Sequence, residues 1–260
     1  MVQTPQQTLP KKVRKTSRKQ QSLTGQLTEI LESVWHNQLT LLPYSIPEDL
    51  GYVEGMLEGD RLTIRNICYQ TSQFRKIHLE LAKIGNTLDI LHCVMFPRPC
   101  FDLPIFGVDI VGGPKAISAA IVDLSPVSAV GEASTSEKRI LPTNYVQALS
   151  SLPPARFTQP RDLPEWGSIF SDFCLFVRPT TRREERAFLN RVTQYVSLHC
   201  QFASEAKVIT SADERASVLA GQRHYCLQQQ KNDKTRRILA HAFGPDWAEQ
   251  YLQTMLFDSP

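Results

Sequence analysis

The chain has 260 residues, a formal charge of +3, and 42% hydrophobic and 21% charged residues. That length can bury a sizeable core as one domain, and the composition excludes a largely disordered polymer. No apolar run approaches the roughly 20 residues of a bilayer span, so no membrane insertion is expected.

The charge is unevenly distributed. Residues 1–21 carry Lys11, Lys12, Arg14, Lys15, Arg18 and Lys19 and no acid, so the remainder of the chain falls from +3 to −3. A nucleic-acid-binding body therefore has no support from net charge. The tail reads as a solvated basic arm. Arg-rich, acid-poor starts also resemble organelle transit peptides, which leaves two compartments open: cytoplasm, or plastid stroma if the tail is such a peptide. The six cysteines are scattered without any C-x-x-C pair, which argues against a zinc or iron-sulfur site and fits reduced thiols.

After the tail, Leu27, Ile30, Leu31 and Val34 recur at helical spacing, which predicts an amphipathic helix from Leu23 to Leu41, before Pro43. The next segment, GYVEGMLEGDRLTIRNICYQT, predicts a hairpin around a Gly59-Asp60 turn signal. Four consecutive strands are expected between Phe74 and Leu124. SPVSAVGEASTSEKR reads as a surface loop, Pro142 to Leu152 as a short helix, and Phe173 to Val177 as a further strand. From Arg182 onward the pattern is helical, with EERAFLNRVTQYVSLHC followed by segments from Asp213 to Leu239 and from Pro245 to Phe257. No βαβ repetition occurs, so the order suggests an antiparallel sheet flanked by helices and no doubly wound parallel sheet.

Strand alternation then orders the side chains from Phe74 to Leu124. His78, Glu80 and Ala82 share one face. A three-residue loop Gly85-Asn86-Thr87 pairs Ile84 with Leu88 and sets Glu80 opposite His92, whereas a two-residue loop would set it opposite Leu91. Pairing Phe96 with Ile105 sets His92 opposite Asp109, and a GGPK turn would bring Ser118 beside Asp109. The expected row is Glu80, His92, Asp109 and Ser118, on a face whose mixed lining suits a flat, partly apolar ligand. The opposite face would carry Leu79, Leu81, Leu91, Cys93, Met95, Val108, Ile110, Ala119 and Ile121 as core. A lone buried His or Asp is more often a satisfied structural residue. Three ionisable groups buried in one row would perturb one another's protonation, as proton donors near neutral pH require.

A Gly-rich dinucleotide fingerprint, a P-loop, a G-x-S-x-G elbow and H-E-x-x-H are all absent from the sequence. The motifs HLELAK, LDILHCVMFPRP, FGVDIVGG and SAAIVDLSP are present, with PYSIPEDLGYVEG before them and QQQKNDKTRR near the end. In these the chain, from about Pro43 to Phe257, resembles the phycocyanobilin:ferredoxin oxidoreductases among the ferredoxin-dependent bilin reductases.

The resemblance implies a single domain over residues 22–260 of α/β class, a three-layer α/β/α sandwich with a central antiparallel sheet flanked by helices, with biliverdin IXα held between the sheet and the C-terminal helices. It implies a four-electron reduction to phycocyanobilin, D-ring vinyl group first and A ring second. Electrons would come singly from reduced ferredoxin, an acidic transient partner, with no bound flavin or metal, and the enzyme would act as a monomer. Asp109 is implied as the central proton donor, His92 as its partner and Glu80 as the donor to the D-ring vinyl. His78 would orient the network or be structural. Ser118 would contact the ligand, Asn232 and Lys234 would lie near the vinyl-bearing end, and Arg161 would pair with a propionate. Lys231, Arg236 and Arg237 would be solvated charges or a basic rim for ferredoxin. A bilin reductase with another product and a non-catalytic tetrapyrrole carrier are the alternatives. The co-occurrence of Glu80, His92 and Asp109 favours the phycocyanobilin type.

Overall fold

The computed structural model describes residues 21–128 and 139–260. The basic arm, apart from Gln21, and most of the Ser-rich loop lie outside them.

Ser22 starts the first helix, α1 (Leu23–Gln38), its hydroxyl accepting from the Gly25 amide as an N-cap should. Leu23, Leu27, Leu31 and Trp35 form the buried stripe of α1. The short strand β1 (Leu42–Pro43) and the strand β2 (Tyr52–Leu57) both pair with β3 (Asp60–Gln70) along one edge. The β2–β3 turn is Glu58-Gly59, one residue earlier than the sequence signal, because Leu57 pairs with Asp60. Both turn residues have positive φ, 52° and 90°, the backbone of a two-residue turn whose twist suits a hairpin.

The four expected strands follow as β4 (Phe74–Ile84), β5 (Leu88–Pro97), β6 (Ile105–Gly112) and β7 (Ile117–Ser125). Strand β8 (Leu175–Val177) closes the far edge, so the eight-stranded sheet runs β1-β3-β4-β5-β6-β7-β8 with β2 also on β3, all antiparallel.

Helices cover both faces. On one lie α1, α2 (Thr143–Ser150) and α3 (Arg182–Glu205), where Leu27, Trp35, Phe188 and Val192 pack on Leu79, Leu91, Met95, Val108 and Ile110. On the other, Val218, Tyr225, Leu239, Tyr251 and Met255 pack on Ala82, Val94 and Phe96. These come from α4 (Ala212–Gln229), α5 (Asp233–Phe243), α6 (Pro245–Tyr251) and a π-helical turn, Leu252–Leu256. The single helix expected from Asp213 to Leu239 is thus two. The backbone leaves the helical region at Asn232, which has the residue type and place of an N-cap for α5 and is followed by an acidic first turn.

The register across β4, β5 and β6 agrees with the alternation. Ile84 pairs with Leu88 across the three-residue loop, Glu80 with His92, and His92 with Asp109. The β6–β7 register does not agree. Asp109 lies opposite Ile121, because Gly112 pairs with Ile117 and the ladder bulges between Val111 and Gly112. Ser118 is therefore not in the row, and the core face of β7 is Ala120, Val122 and Leu124 instead of Ala119 and Ile121.

Candidate active site

The row on the α4–α6 face consists of Asn66, Glu80, His92 and Asp109, contributed by four neighbouring strands and ending at Ile121. The side chains are coupled. His92 Nδ1 lies 2.5 Å from Asp109 Oδ1. The Tyr251 hydroxyl, from α6, lies 2.6 Å from Glu80 Oε2 and 2.9 Å from Asn66 Oδ1. His78 Nε2 is 2.7 Å from the same Asn66 oxygen.

The Asn66 amide fixes the tautomer of His78. Its nitrogen donates to the Leu50 carbonyl at 2.7 Å, so its oxygen faces His78 and Tyr251 and can only accept. His78 therefore carries its proton on Nε2. Two ring nitrogens, His78 Nδ1 and His92 Nε2, are buried without a hydrogen-bond partner among the described residues. Their rings lie 6.1 Å apart, and the Phe257 ring stands edge-on to His92 at 5.6 Å.

Burial and charge act differently on each group. Burial pushes the Glu80 carboxyl up, against the lowering effects of His92 and of the Tyr251 hydrogen bond. For His92 burial is again the largest single influence and would lower it. The charge and hydrogen bond of Asp109, with help from Glu80, outweigh burial and hold His92 above the ordinary histidine value. His78 is pushed well below that value by burial, then by Lys76 and His92. Asp109 is the outward member of the coupled pair: its side chain is 40% exposed against 11% for His92.

The chain's C-terminal segment closes over this face and is tied to β4. A bulge between Phe74 and Lys76 aims both Arg75 and Lys76 at Asp258, and each makes an ion pair with it. The fully buried Lys76 ammonium also donates to the Met255 carbonyl at 2.9 Å.

The other expected residues lie apart from the row. Ser118 is exposed and donates to the Val111 carbonyl, and Arg161 donates to the Ser118 carbonyl while standing 5.4 Å over the Phe176 ring. Asn232 is half-buried at the start of α5, and Lys234 is exposed in its first turn. Among the described residues no cluster of His, Cys, Asp and Glu has the arrangement of a metal site. No helix among them is long and apolar enough to cross a membrane.

Residues 28–258 match the family model described as ferredoxin-dependent bilin reductase. The chain belongs to that family. It is an oxidoreductase of the ferredoxin-dependent kind. Among the bilin reductases it is 54% identical over 241 residues to a phycocyanobilin:ferredoxin oxidoreductase of Trichodesmium erythraeum, covering 93% of this chain and 95% of the relative. A Synechococcus protein of the same name is 54% identical over 231 residues, 88% of this chain and 90% of the relative. Tomato phytochromobilin synthase, solved in complex with biliverdin, shares the fold with a TM-score of 0.71 at 17% identity, over 92% of this chain and 83% of the other.

Four residues of this arrangement had not been singled out from sequence: Asn66, Tyr251, Lys76 and Asp258. For Asn66 a signal exists, since it interrupts the apolar alternation Leu62, Ile64, Asn66, Cys68 on the inner face of β3. For Tyr251 and Asp258, more than 170 residues from their partners, nothing in the local pattern announces the contact.

Proposed function

We propose that the chain reduces biliverdin IXα to phycocyanobilin with four electrons from reduced ferredoxin, the D-ring vinyl group first and the A ring second. The observation that carries the reading is the row of Glu80, His92 and Asp109 across three adjacent strands, with His92 and Asp109 2.5 Å apart. Each electron added to a conjugated tetrapyrrole raises its basicity, so each must be matched by a proton from a donor already within reach. Four electrons and four protons balance the conversion.

In this scheme Asp109 is the central donor because it is the row's outward carboxyl, and His92 holds a proton in a pair with it. Nδ1 and Oδ1 are close enough for a proton to pass between them, so it can be drawn from either partner. Glu80, whose carboxyl burial pushes up, supplies the D-ring vinyl. His78, neutral and fixed as its Nε2–H tautomer, orients Asn66. Arg161 beside Ser118, and Asn232 with Lys234, are proposed as outer contacts to the pigment. The reading needs no resident flavin or metal, ferredoxin being the external donor. Exposed Lys231 and Arg237 are its proposed basic rim, whereas Arg236 is engaged with Glu249 and Asp233.

The decisive experiment supplies biliverdin and photoreduced ferredoxin without oxygen and separates the pigments by chromatography. Phycocyanobilin is the expected product, and Glu80→Gln should stall at a pigment reduced at one end. Bound but unchanged biliverdin would leave a carrier, a different end product would leave another bilin reductase, and full conversion by Glu80→Gln would remove that carboxyl from the scheme.

A further inference from the structure

Tyr251 is buried on α6, its ring stacked against Trp247 at 4.8 Å and 12°, and its hydroxyl touches two oxygens at once. A phenol has one proton and cannot donate to both. Asn66 Oδ1 can only accept, because the Asn66 amide nitrogen is committed to Leu50. Two arrangements therefore satisfy the same atoms. If Glu80 is protonated, it donates to the Tyr251 oxygen across 2.6 Å and Tyr251 donates to Asn66 across 2.9 Å. If Glu80 is ionised, the Tyr251 proton turns to the carboxylate, and Asn66 keeps the His78 Nε2–H as its donor at 2.7 Å.

We propose that Tyr251 is a positioning residue that satisfies Glu80 both before and after Glu80 gives up its proton, with Asn66 as the alternative acceptor that lets the hydroxyl turn. The proposal rests on the role given to Glu80 above. A buried carboxyl that loses its proton without a donor facing it is left as an uncompensated charge, which makes it a poor acid. A hydroxyl that can reverse its bond removes that obstacle without moving any heavy atom. The groups facing Glu80 are His92 and Asp109 from β5 and β6, Tyr251 from α6, Asn66 from β3, and His78 and Lys76 along β4. Tyr251 itself stays neutral, since burial and the nearby Glu80 push its phenol well up.

The test needs neither pigment nor ferredoxin. Infrared spectra recorded against pH identify the Glu80 carboxylic-acid band by its loss in Glu80→Gln. In Tyr251→Phe the midpoint of that band should rise by about 1 pH unit or more, the effect of one lost hydrogen bond to a charged group. In Asn66→Ala, where the hydroxyl has only Glu80 to serve, the midpoint should fall. A role in packing alone would not move the two variants in opposite directions. With biliverdin and reduced ferredoxin, Tyr251→Phe should bind the pigment nearly as the wild type does and accumulate several-fold more of the species reduced at one end. An unshifted band in both variants, or a shift of the same sign in both, overturns the inference. Biliverdin left unreduced by the wild-type chain would instead overturn the reading on which it rests.

Discussion

The two faces of the sheet each bury a histidine, with opposite consequences. On the α1–α3 face His199 is fully buried among Phe74, Phe106 and Tyr145, its one hydrogen bond running 2.9 Å between Nδ1 and the Tyr145 hydroxyl. Burial alone pushes it down to about 3. On the α4–α6 face His92 is nearly as buried, yet it is held above the ordinary value because Asp109 and Glu80 face it. Depth alone therefore does not fix how readily a buried histidine holds a proton. A facing carboxylate does, and the sheet supplies one by register.

Removing that carboxylate should make the two faces alike, with the largest effect. Asp109→Asn keeps the shape and deletes the charge, so His92 should fall toward the behaviour of His199 and the pair should lose its shared proton. Turnover should drop about 10²- to 10⁴-fold, the usual weight of a positioned acid or base. The absorption spectrum of added biliverdin should still report binding. Turnover within a few-fold of wild type would show that the contrast between the histidines does not matter to catalysis.

A second asymmetry lies in how the faces are closed. The α1–α3 face is sealed by apolar packing, whereas the C-terminal segment is fastened over the other by Arg75 and Lys76 on Asp258. Lys76 is fully buried, and Asp258 is its counter-charge. Asp258→Asn should therefore cost about 3 kcal/mol, measured by urea unfolding, because a buried ammonium is left unpaired. Adding Lys76→Met should recover most of the loss, since replacing both partners removes the stranded charge. If the double variant is no more stable than the single one, Lys76 does not depend on Asp258.

How much of this was legible in the sequence differs between the two halves of the sheet. Gly85 marks a three-residue loop, and alternation then aligns Glu80 with His92; the longer proline-rich connection from Pro97 to Ile105 keeps the same parity, so Asp109 joins them. At β6–β7 the ladder resumes at Gly112 and Ile117 with a bulge beside it, and a bulge changes register without leaving a periodic trace. The resulting three-residue shift, an odd number, put Ser118 in the expected row in place of Ile121 and exchanged the faces of β7. Tyr251 falls within the helical segment expected from Pro245 to Phe257, but the partner of its hydroxyl depends on how α6 docks. Docking is a tertiary outcome that helical spacing does not encode.

The smallest effect concerns stability, and it separates His199 from His92 by sign. His199 takes up a proton at about 3 when folded but near 6.5 when unfolded, so between those values the unfolded chain binds one more proton. Its contribution is complete above pH 6.5 and is lost as the pH falls toward 3. His78, also pushed down, acts in the same direction. His92 acts in the other: its folded value is raised, so its contribution is complete below the unfolded value and is lost as pH rises through the folded one. Comparing urea unfolding at pH 7 and pH 5, His199→Leu should lose about 2 kcal/mol less on acidification than the wild type. His92→Gln should lose more, because it gives up a group whose protonation favours the folded state. Equal slopes in the two variants would mean that both histidines feel the same environment, and the distinction between a core histidine and a proton-holding one would fail.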